Sequence, residues 1–349
     1  MSKIFYKALG KKEKWPNITG AIPSSLTYDD VLLVPQISNI KSRVDVSTKV
    51  QLGPFILAKP IISAPMDTVT GETMTRELAR LGAIGTIPKG NLEEVLKICK
   101  AFSEENIPAI YAVSLKRGFD EAKQIKNAGG KAIQVDVANG GMKQAIELAV
   151  EIQNKLKLFA ISGNIVTYEQ ANEYKKHGLK IAKVGVGPGG TCITRIVAGT
   201  GFPQLSAILE TSSSGLPVIA DGGIKTGGHF AKAIAAGADF VMIGSIFGGT
   251  DEAPGEIRNG KKLTRGQASE SYMKDNGVVL GEFRAAEGVS IEVPVKGPVR
   301  NVIEDLMGGL RSAMSYAGAK DIKDFQKKAI FSLASSSVGN ESNPWLASL

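Results

Sequence analysis

A glycine-rich turn that leads into a cysteine is the part of this 349-residue sequence best suited to chemistry. It reads KVGVGPGGTCITR at residues 183–195 and contains Cys192. Glycines let backbone N–H and C=O groups approach a ligand closely, which suits a phosphate or a cation equally. Backbone dipoles and a bound ligand there would make Cys192 a thiolate nucleophile. The alternative is a small buried cysteine beside a tight turn, and Cys99, in an apolar helical pattern, fits that description.

Two further glycine turns follow predicted strands, in PVIADGGI (217–224) and DFVMIGS (239–245). Asp221 could accept hydrogen bonds from sugar hydroxyls. The N–H groups of Gly222, Gly223, Gly244 and Ser245 could hold a phosphate, as turns after the last two strands do in many barrels. One glycine pair alone indicates only a turn, but two turns on successive strands strengthen the phosphate interpretation.

Proton transfer must use groups other than histidine. His177 and His229 are the only histidines and show no metal-ligand spacing, so we expect no zinc or iron site. Carboxylates, hydroxyls or lysine remain as acids and bases. By position, Glu287 and Thr194 are the best candidates, although a lone glutamate in a loop is usually a solvated charge.

Eight short apolar runs alternate with helical patterns and carry these turns at their ends, which predicts a parallel sheet with helices outside it. Eight parallel strands with short connections favour a single-domain (β/α)8 TIM barrel, with an open doubly wound sheet as the alternative. The candidate strands are 60–65, 83–88, 108–114, 131–137, 158–162, 180–186, 217–223 and 239–245.

The remaining segments extend this barrel. We expect residues 1–59 to be an N-terminal extension that packs on the barrel floor or side, and residues 60–330 to form the catalytic barrel. The long loop after strand eight, residues 246–300 (here the excursion), is expected to be a functional lid or binding loop before a helix that begins near Val299. Residues 331–349 are expected to form a flexible tail.

The amino-acid composition limits which binding partners and which cellular compartment we expect. A formal charge of +8 suits anionic partners in general, but the basic residues are spread along the chain, which argues against nucleic acid as the main ligand. Two cysteines are too few for a disulfide framework and indicate a reducing compartment. The sequence has no long apolar run and no apolar leader, so we expect a cytoplasmic protein without a membrane partner.

At these motifs the sequence resembles the family of IMP dehydrogenase and GMP reductase. The resemblance covers almost the whole chain, with the motifs in the family's order. They are LTYDDVLLVP (26–35), SAPMDTVT (63–70), DVANG (136–140), SGN (162–164), GVGPGGTCITR (185–195), ADGGI (220–224), VMIGS (241–245), RAAEG (284–288) and GGLRSAMSYAG (308–318).

The resemblance implies a common first step, in which the cysteine thiolate adds to C2 of a purine 5′-monophosphate and forms a covalent thioimidate. The dehydrogenase oxidises IMP with NAD and hydrolyses the intermediate by means of an Arg–Tyr pair on a long mobile flap. The reductase expels ammonia from GMP and receives hydride from NADPH, which yields IMP.

The excursion favours the reductase. No arginine stands between Arg265 and Arg284, and the stretch from Ser269 to Glu287 leaves no room for that flap. DVANG and RAAEGVSIEVPVKG also resemble the reductase, whereas LGAIGTI, CITRIVAGTG and AKAIAAGA read equally like bacterial dehydrogenases. We expect an NADPH-dependent GMP reductase, and an IMP dehydrogenase without its regulatory module is the alternative.

Carried over motif by motif, the resemblance implies that Cys192 is the nucleophile and that Thr194 with Glu287 protonates the departing ammonia. Potassium or another monovalent cation is implied at carbonyls of Gly187, Gly189 and Cys192, and a homotetramer is implied as the assembly. The residues implied around GMP are Asp221, Gly222, Gly223, Gly244, Ser245, Arg284 and Gly288. Those implied near the nicotinamide cofactor are Lys89, Asp136, Val137, Ala138 and Asn164.

Three positions depart from the family pattern. Gly190 replaces a serine that would offer a hydroxyl to the phosphate, Pro88 stands where histidine is usual, and Gln267 stands where methionine often contacts the base. These departures leave open a nucleotide-binding protein without catalytic activity. A nucleic-acid-binding protein also stays open, and its affinity would collapse with salt.

Overall fold

Three short strands precede the barrel. The computed structural model describes residues 25–277, 279–281, 285–335 and 342. Within them lie β1 (Val31–Leu33), β2 (Val50–Leu52) and β3 (Phe55–Leu57), of which β2 and β3 form an antiparallel hairpin. The predicted N-terminal extension is described from residue 25 onward.

Eight parallel strands then form one sheet, in which each strand lies beside its neighbour in the chain. The first and second of them also meet, because Ser63 N donates to Ile84 O at 3.0 Å and Ile84 N donates to Ile61 O at 3.2 Å. The sheet therefore closes into a (β/α)8 barrel, which confirms the predicted fold and excludes the open sheet. The strands are β4 (Ile61–Ser63), β5 (Gly85–Ile87), β6 (Ala109–Val113), β7 (Ala132–Asp136), β8 (Phe159–Ile165), β9 (Ala182–Val184), β10 (Val218–Asp221) and β11 (Phe240–Ile243).

Helices connect the strands, and the longer ones each bury an apolar face. Side-chain caps fix where several begin: Asn91, Thr167 and Thr226 each accept a hydrogen bond from a backbone N–H of the first turn. The helices are α1 (Glu72–Arg80), α2 (Leu92–Glu104), α3 (Gly118–Asn127), α4 (Lys143–Leu156), α5 (Tyr168–Lys176), α6 (Thr194–Val197), α7 (Gln204–Ser212) and α8 (Gly227–Ala235).

The β2–β3 hairpin closes the barrel floor. Leu52 and Leu57 are fully buried and pack with the inward-facing side chains of the barrel strands, among them Ile62 and Ile161. Gly53, at φ +53°, lies so close to the Phe159 ring that a Cβ there would overlap it. The floor is therefore apolar and sealed, which leaves the opposite end, where the strands terminate, to bind ligands.

The excursion contains more regular structure than a loop. It forms an antiparallel hairpin of β12 (Lys261–Arg265) and β13 (Ser290–Pro294), with a short helix α9 (Glu270–Asp275) between the two strands. The helix expected near Val299 is α10 (Val299–Tyr316), which α11 (Ile322–Lys328) follows.

Ordered structure continues three residues past the predicted start of the tail. β14 (Phe331–Leu333) pairs antiparallel with β1, which ties the end of the barrel to the N-terminal extension. Residues 336–341 and 343–349 of the predicted tail lie outside the described residues. Among the helices that are described, none has the length and apolar character needed to span a bilayer.

Candidate active site

The turn that carries Cys192 leaves the end of β9, at the rim formed by the carboxyl ends of the barrel strands. Gly185 and Gly187 have φ of +141° and +91°, which only glycine adopts readily. A Cβ on Gly185 would lie 2.3 Å from the Asp221 carbonyl oxygen, so the turn packs directly on the next strand. The Cys192 N–H donates to Gly189 O at 3.1 Å. These contacts hold the cysteine at the rim, as the sequence predicted.

The two cysteines occupy opposite environments. Cys192 is a half-buried free thiol, and its Sγ lies 3.3 Å from Thr194 Oγ1. Cys99 is fully buried in α2, where burial raises the pKa of its thiol. The reading of a packed, inert cysteine therefore fits Cys99, whereas Cys192 lies beside a hydroxyl that can exchange a proton with it.

The segment that contains Glu287 docks on the cysteine. Ile193 N donates to Glu287 O at 2.8 Å, and Val289 N donates to Thr191 O at 2.9 Å. A Cβ on Gly288 would lie 3.1–3.2 Å from Ala268 C, Ser269 N and Thr191 O, so a glycine permits this close approach. The structure thus brings half-buried Glu287 next to Cys192 and Thr194 through paired backbone segments.

The turns after β10 and β11 meet the cysteine turn. Gly222 and Gly223 have φ of +94° and +80°, and a Cβ on Gly222 would lie 3.1 Å from Gly189 N. A Cβ on Gly190 would lie 2.9 Å from Ser245 Oγ. Glycine turns from three successive strands therefore come together at the rim, and backbone N–H groups in such turns are suited to bind a phosphate.

A charged network lies beneath these turns, inside the barrel. Lys183 on β9 is only 4% exposed, and its ammonium lies 3.0 Å from Asp221 Oδ2 and 3.4 Å from Asp136 Oδ1. Asn164 Nδ2 also donates to Asp221 Oδ2, at 2.9 Å. Burial opposes the charge on Lys183, but Asp221 and Asp136 outweigh it and hold the lysine pKa above its usual value. Lys183 is not among the residues predicted from sequence, although a lysine inside an apolar strand is itself a signal of a buried acidic partner.

The residues predicted near the cofactor lie on the Asp136 side of this network. Lys89 Nζ donates to the Asp136 carbonyl at 3.2 Å and lies 3.6 Å from its carboxylate. Burial would raise the pKa of Asp136, but Lys183 and Lys89 outweigh it and hold that pKa below its usual value. Val137 and Ala138 follow directly on the rim, where Val137 O accepts a hydrogen bond from Asn164 N at 3.3 Å.

A second cluster, which sequence reasoning did not find, fastens the excursion to the rim. Arg265 on β12 donates two hydrogen bonds to the Asp67 carboxylate, from Nε at 3.0 Å and from Nη2 at 2.6 Å. Its Nη1 donates to Asp275 Oδ2 at 2.6 Å. Its guanidinium carbon lies 5.4 Å from the centre of the Tyr272 ring. Burial, together with the Asp67 and Asp136 charges, raises the Tyr272 pKa to about 12. We call these four residues, Arg265, Asp67, Asp275 and Tyr272, the arginine clamp.

Comparison with known proteins agrees with this geometry. The family profile of the "IMP dehydrogenase / GMP reductase domain" matches residues 25–345. The chain belongs to this family. It is 37% identical to the GMP reductases of Escherichia coli strains SMS-3-5 / SECEC, O157:H7 and K12 / DH10B, over 325 residues that cover 88% of this chain and 94% of each relative.

Two of the departures from the family pattern acquire a structural context. Gly190 faces the Ser245 hydroxyl, so a side chain at 190 would displace that group, and Ser245 itself offers a hydroxyl at this spot. The Gln267 amide donates to Pro65 O and so ties the excursion to the loop after β4. Nothing in the structure explains Pro88. Arg284 lies outside the described residues.

The predicted cation turn has a mixed environment. Gly189 O accepts the Cys192 N–H and keeps a second lone pair for a cation. The Arg195 side chain packs against Gly187, where a Cβ would lie 2.5 Å from Arg195 Nε. Within the described residues, no group of three or more histidine, cysteine, aspartate or glutamate side chains is arranged to hold a metal ion. A cation at this turn would therefore depend on backbone carbonyls.

Proposed function

We propose that the protein is a GMP reductase, which converts GMP and NADPH to IMP, ammonia and NADP. The observation that carries this proposal is the pairing of the Cys192 thiol with the Thr194 hydroxyl at 3.3 Å, with the Glu287 segment docked against both. A thiol, a hydroxyl and a carboxylate are what an amine-expelling substitution at a purine carbon needs: a nucleophile and a route for one proton.

The excursion supports the reductase over the dehydrogenase. Hydrolysis of the intermediate needs an arginine and a tyrosine that are free to activate water, but Arg265 is held by Asp67 and Asp275. Tyr272 is buried beneath Arg265 with its pKa raised to about 12. Neither group is available to a water at Cys192, and expulsion of ammonia does not require them.

In the proposed reaction, Cys192 Sγ bonds to C2 of GMP while the bond from C2 to the exocyclic amine breaks. The amine leaves as ammonia and takes up a proton that Thr194 relays from Glu287. When bound, NADPH supplies the hydride that adds to C2. Cys192 then departs as a thiolate, which leaves IMP and regenerates the enzyme.

The rim supplies the nucleotide contacts. Asp221 Oδ2 is already engaged by Lys183 and Asn164, so its second oxygen is the one that would accept the ribose hydroxyls. The phosphate would bind the turns of Gly222, Gly223, Gly244 and Ser245, with Gly288 closing the site beside the cysteine. Arg284 is proposed as a further contact on the motif alone.

The cofactor would lie across the purine from these turns. One continuous edge of the rim is formed by Lys89, Asp136, Val137 and Ala138. Asn164 connects that edge to Asp221. The Lys89 ammonium suits a phosphate or ribose of the cofactor, since it is partly exposed and bound mainly by Asp136.

We also propose a monovalent cation, potassium, at the carbonyls of Gly187, Gly189 and Cys192, and a homotetramer as the assembly. Replacement of potassium chloride by a tetraalkylammonium salt should lower the turnover rate and the melting temperature together if the cation orders this turn. Light scattering of the purified protein reports the number of copies directly.

The second candidate is an IMP dehydrogenase, because the Cys192–Thr194 pair and the phosphate turns would serve the first step of either reaction. One assay separates the two: GMP and IMP are each mixed with NADPH, NADH, NADP and NAD, and absorbance of the reduced cofactor is followed. The proposal requires consumption of NADPH with GMP. Formation of NADH from IMP without any GMP-dependent oxidation would replace it by the dehydrogenase.

A further inference from the structure

The charged network inside the barrel contains a lysine that touches both predicted ligand subsites at once. Lys183 lies between Asp221, on the nucleotide side, and Asp136, on the cofactor side, at 3.0 and 3.4 Å. Its side chain is 5% exposed, whereas those of Asp136 and Asp221 are 13% and 22% exposed. The lysine is therefore sealed beneath the two carboxylates, and neither ligand can reach its ammonium without displacing one of them.

Burial of this lysine is unfavourable unless both acids remain charged and in place. An ammonium in the interior loses its hydration, and only close opposite charges and hydrogen bonds compensate for that loss. Lys183 has one charge to share between two carboxylates. The position and ionisation of each carboxylate thus depend on the other through the same ammonium.

We propose that Lys183 is a positioning residue that links the binding of GMP to the binding of the nicotinamide cofactor. The proposal rests on the proposed function, which assigns Asp221 to the nucleotide and Asp136 to the cofactor. The first ligand to bind covers one carboxylate and excludes water from the network, which strengthens the remaining ion pair. The second ligand then meets a carboxylate that is already fixed, so it binds more tightly than to the empty protein.

Binding measurements test this link without any reaction of GMP when every protein is compared in a Cys192→Ala background, which lacks the proposed nucleophile; wild type here means unchanged at Lys183, Lys262 and Asp136. Calorimetry should give a GMP dissociation constant for the wild type that falls at least about fivefold when NADP is saturating. Lys183→Met should abolish this difference and weaken GMP and NADP individually, by roughly tenfold or more, since each loses a charge-assisted, ordered partner.

Lys262→Met is the matched control. Lys262 is also a strand lysine that is 4% exposed, but its ammonium donates to the carbonyls of Thr250, Asp251 and Ala253 and, within the described part of the chain, to no carboxylate. Its loss should lower the melting temperature and leave the effect of NADP on GMP affinity intact. A similar loss of the effect in Lys262→Met would reduce Lys183 to a structural lysine and overturn the proposal.

Asp136→Asn keeps the test decisive if Lys183→Met fails to fold. This variant removes one of the two carboxylates and leaves Lys183 wholly to Asp221. GMP alone should bind as tightly as to the wild type or more tightly, while NADP no longer improves it. The proposed link is refuted, and the proposed function is not, if NADP still tightens GMP binding fully in Asp136→Asn or Lys183→Met. The same holds if NADP does not tighten GMP binding in the wild type. A wild type that binds neither ligand refutes the proposed function and the link with it.

Discussion

Removal of the Thr194 hydroxyl should slow turnover far more than it destabilises the fold. Thr194→Val keeps the shape of the side chain and deletes only the group that lies 3.3 Å from Cys192 Sγ. That contact is a weak hydrogen bond to sulfur on a short helix at the rim, so its loss should cost about 1 kcal/mol of folding stability or less. As part of a proton relay, however, the hydroxyl should contribute about 10²- to 10⁴-fold to the rate.

The assay is GMP-dependent oxidation of NADPH, with kcat and KM measured separately and thermal unfolding recorded beside them. We expect kcat to fall by about a hundredfold or more, which corresponds to roughly 3 kcal/mol of barrier, while the KM for GMP changes little. Thr194→Ser should recover most of the rate because it restores a hydroxyl at the same position.

Thr191→Val supplies the matched control, since Thr191 is a buried threonine one residue before the cysteine and its backbone oxygen, not its hydroxyl, binds the Glu287 segment. Its kcat should stay within about threefold of the wild type. Thr194 would be removed from the relay if Thr194→Val had the same kcat as the wild type. It would also be removed if Thr191→Val lost as much kcat as Thr194→Val.

Four further outcomes follow from the site. Cys192→Ala should abolish turnover and retain GMP binding in calorimetry; residual turnover would place the nucleophile elsewhere. Glu287→Gln should slow ammonia release more than hydride transfer in single-turnover experiments, because only the first step needs the extra proton; equal slowing would exclude it from the relay. Arg265→Met should lower kcat/KM by about tenfold, since the excursion loses its hydrogen bonds to Asp67, and an unchanged kcat/KM would show that the clamp does not support the site. Asp136→Asn should make the free energy of unfolding depend less on pH in acid. The pKa of Asp136 is lowered in the folded protein, so its contribution to stability is complete above the unfolded pKa of about 3.9 and is lost as pH falls through the folded pKa. Identical acid unfolding curves would contradict that ion pairing.

The barrel and most of the rim could be predicted from sequence because their signals are local. Each barrel strand is a short apolar run, and each functional turn, such as the one before Cys192, has glycines directly after its strand. At Gly185 a Cβ would overlap the Asp221 carbonyl oxygen, and at Gly222 and Gly288 it would lie only about 3.1 Å from neighbouring backbone atoms, which shows why glycine stands at these positions.

The hairpin in the excursion escaped prediction because its polarity is inverted. On β12 the side chains of Lys262 and Thr264 are buried and that of Leu263 is 46% exposed. The usual alternation of apolar and polar side chains would therefore assign the wrong face of the strand to the interior. Three backbone carbonyls satisfy the buried Lys262 ammonium, and they come from residues nine to twelve positions earlier in the chain.

The charged network and the arginine clamp could not be predicted from sequence for a different reason. Lys183 lies 38 residues from Asp221 and 47 from Asp136, and Arg265 lies 198 residues from Asp67. The order and pairing of the barrel strands bring such partners together, and no local pattern in the chain specifies which acid meets which base. Long-range ion pairs of this kind become visible once the order of the strands is known.

The most direct test of the account is mass spectrometry of the protein after it is mixed with GMP in the absence of cofactor and quenched in acid. Nucleophilic attack by Cys192 predicts a fraction of the protein heavier by GMP less ammonia, with the added mass on the peptide that contains Cys192 and absent from Cys192→Ala. Turnover of GMP by the wild type without any such adduct on that peptide, or with the adduct on Cys99, would contradict it.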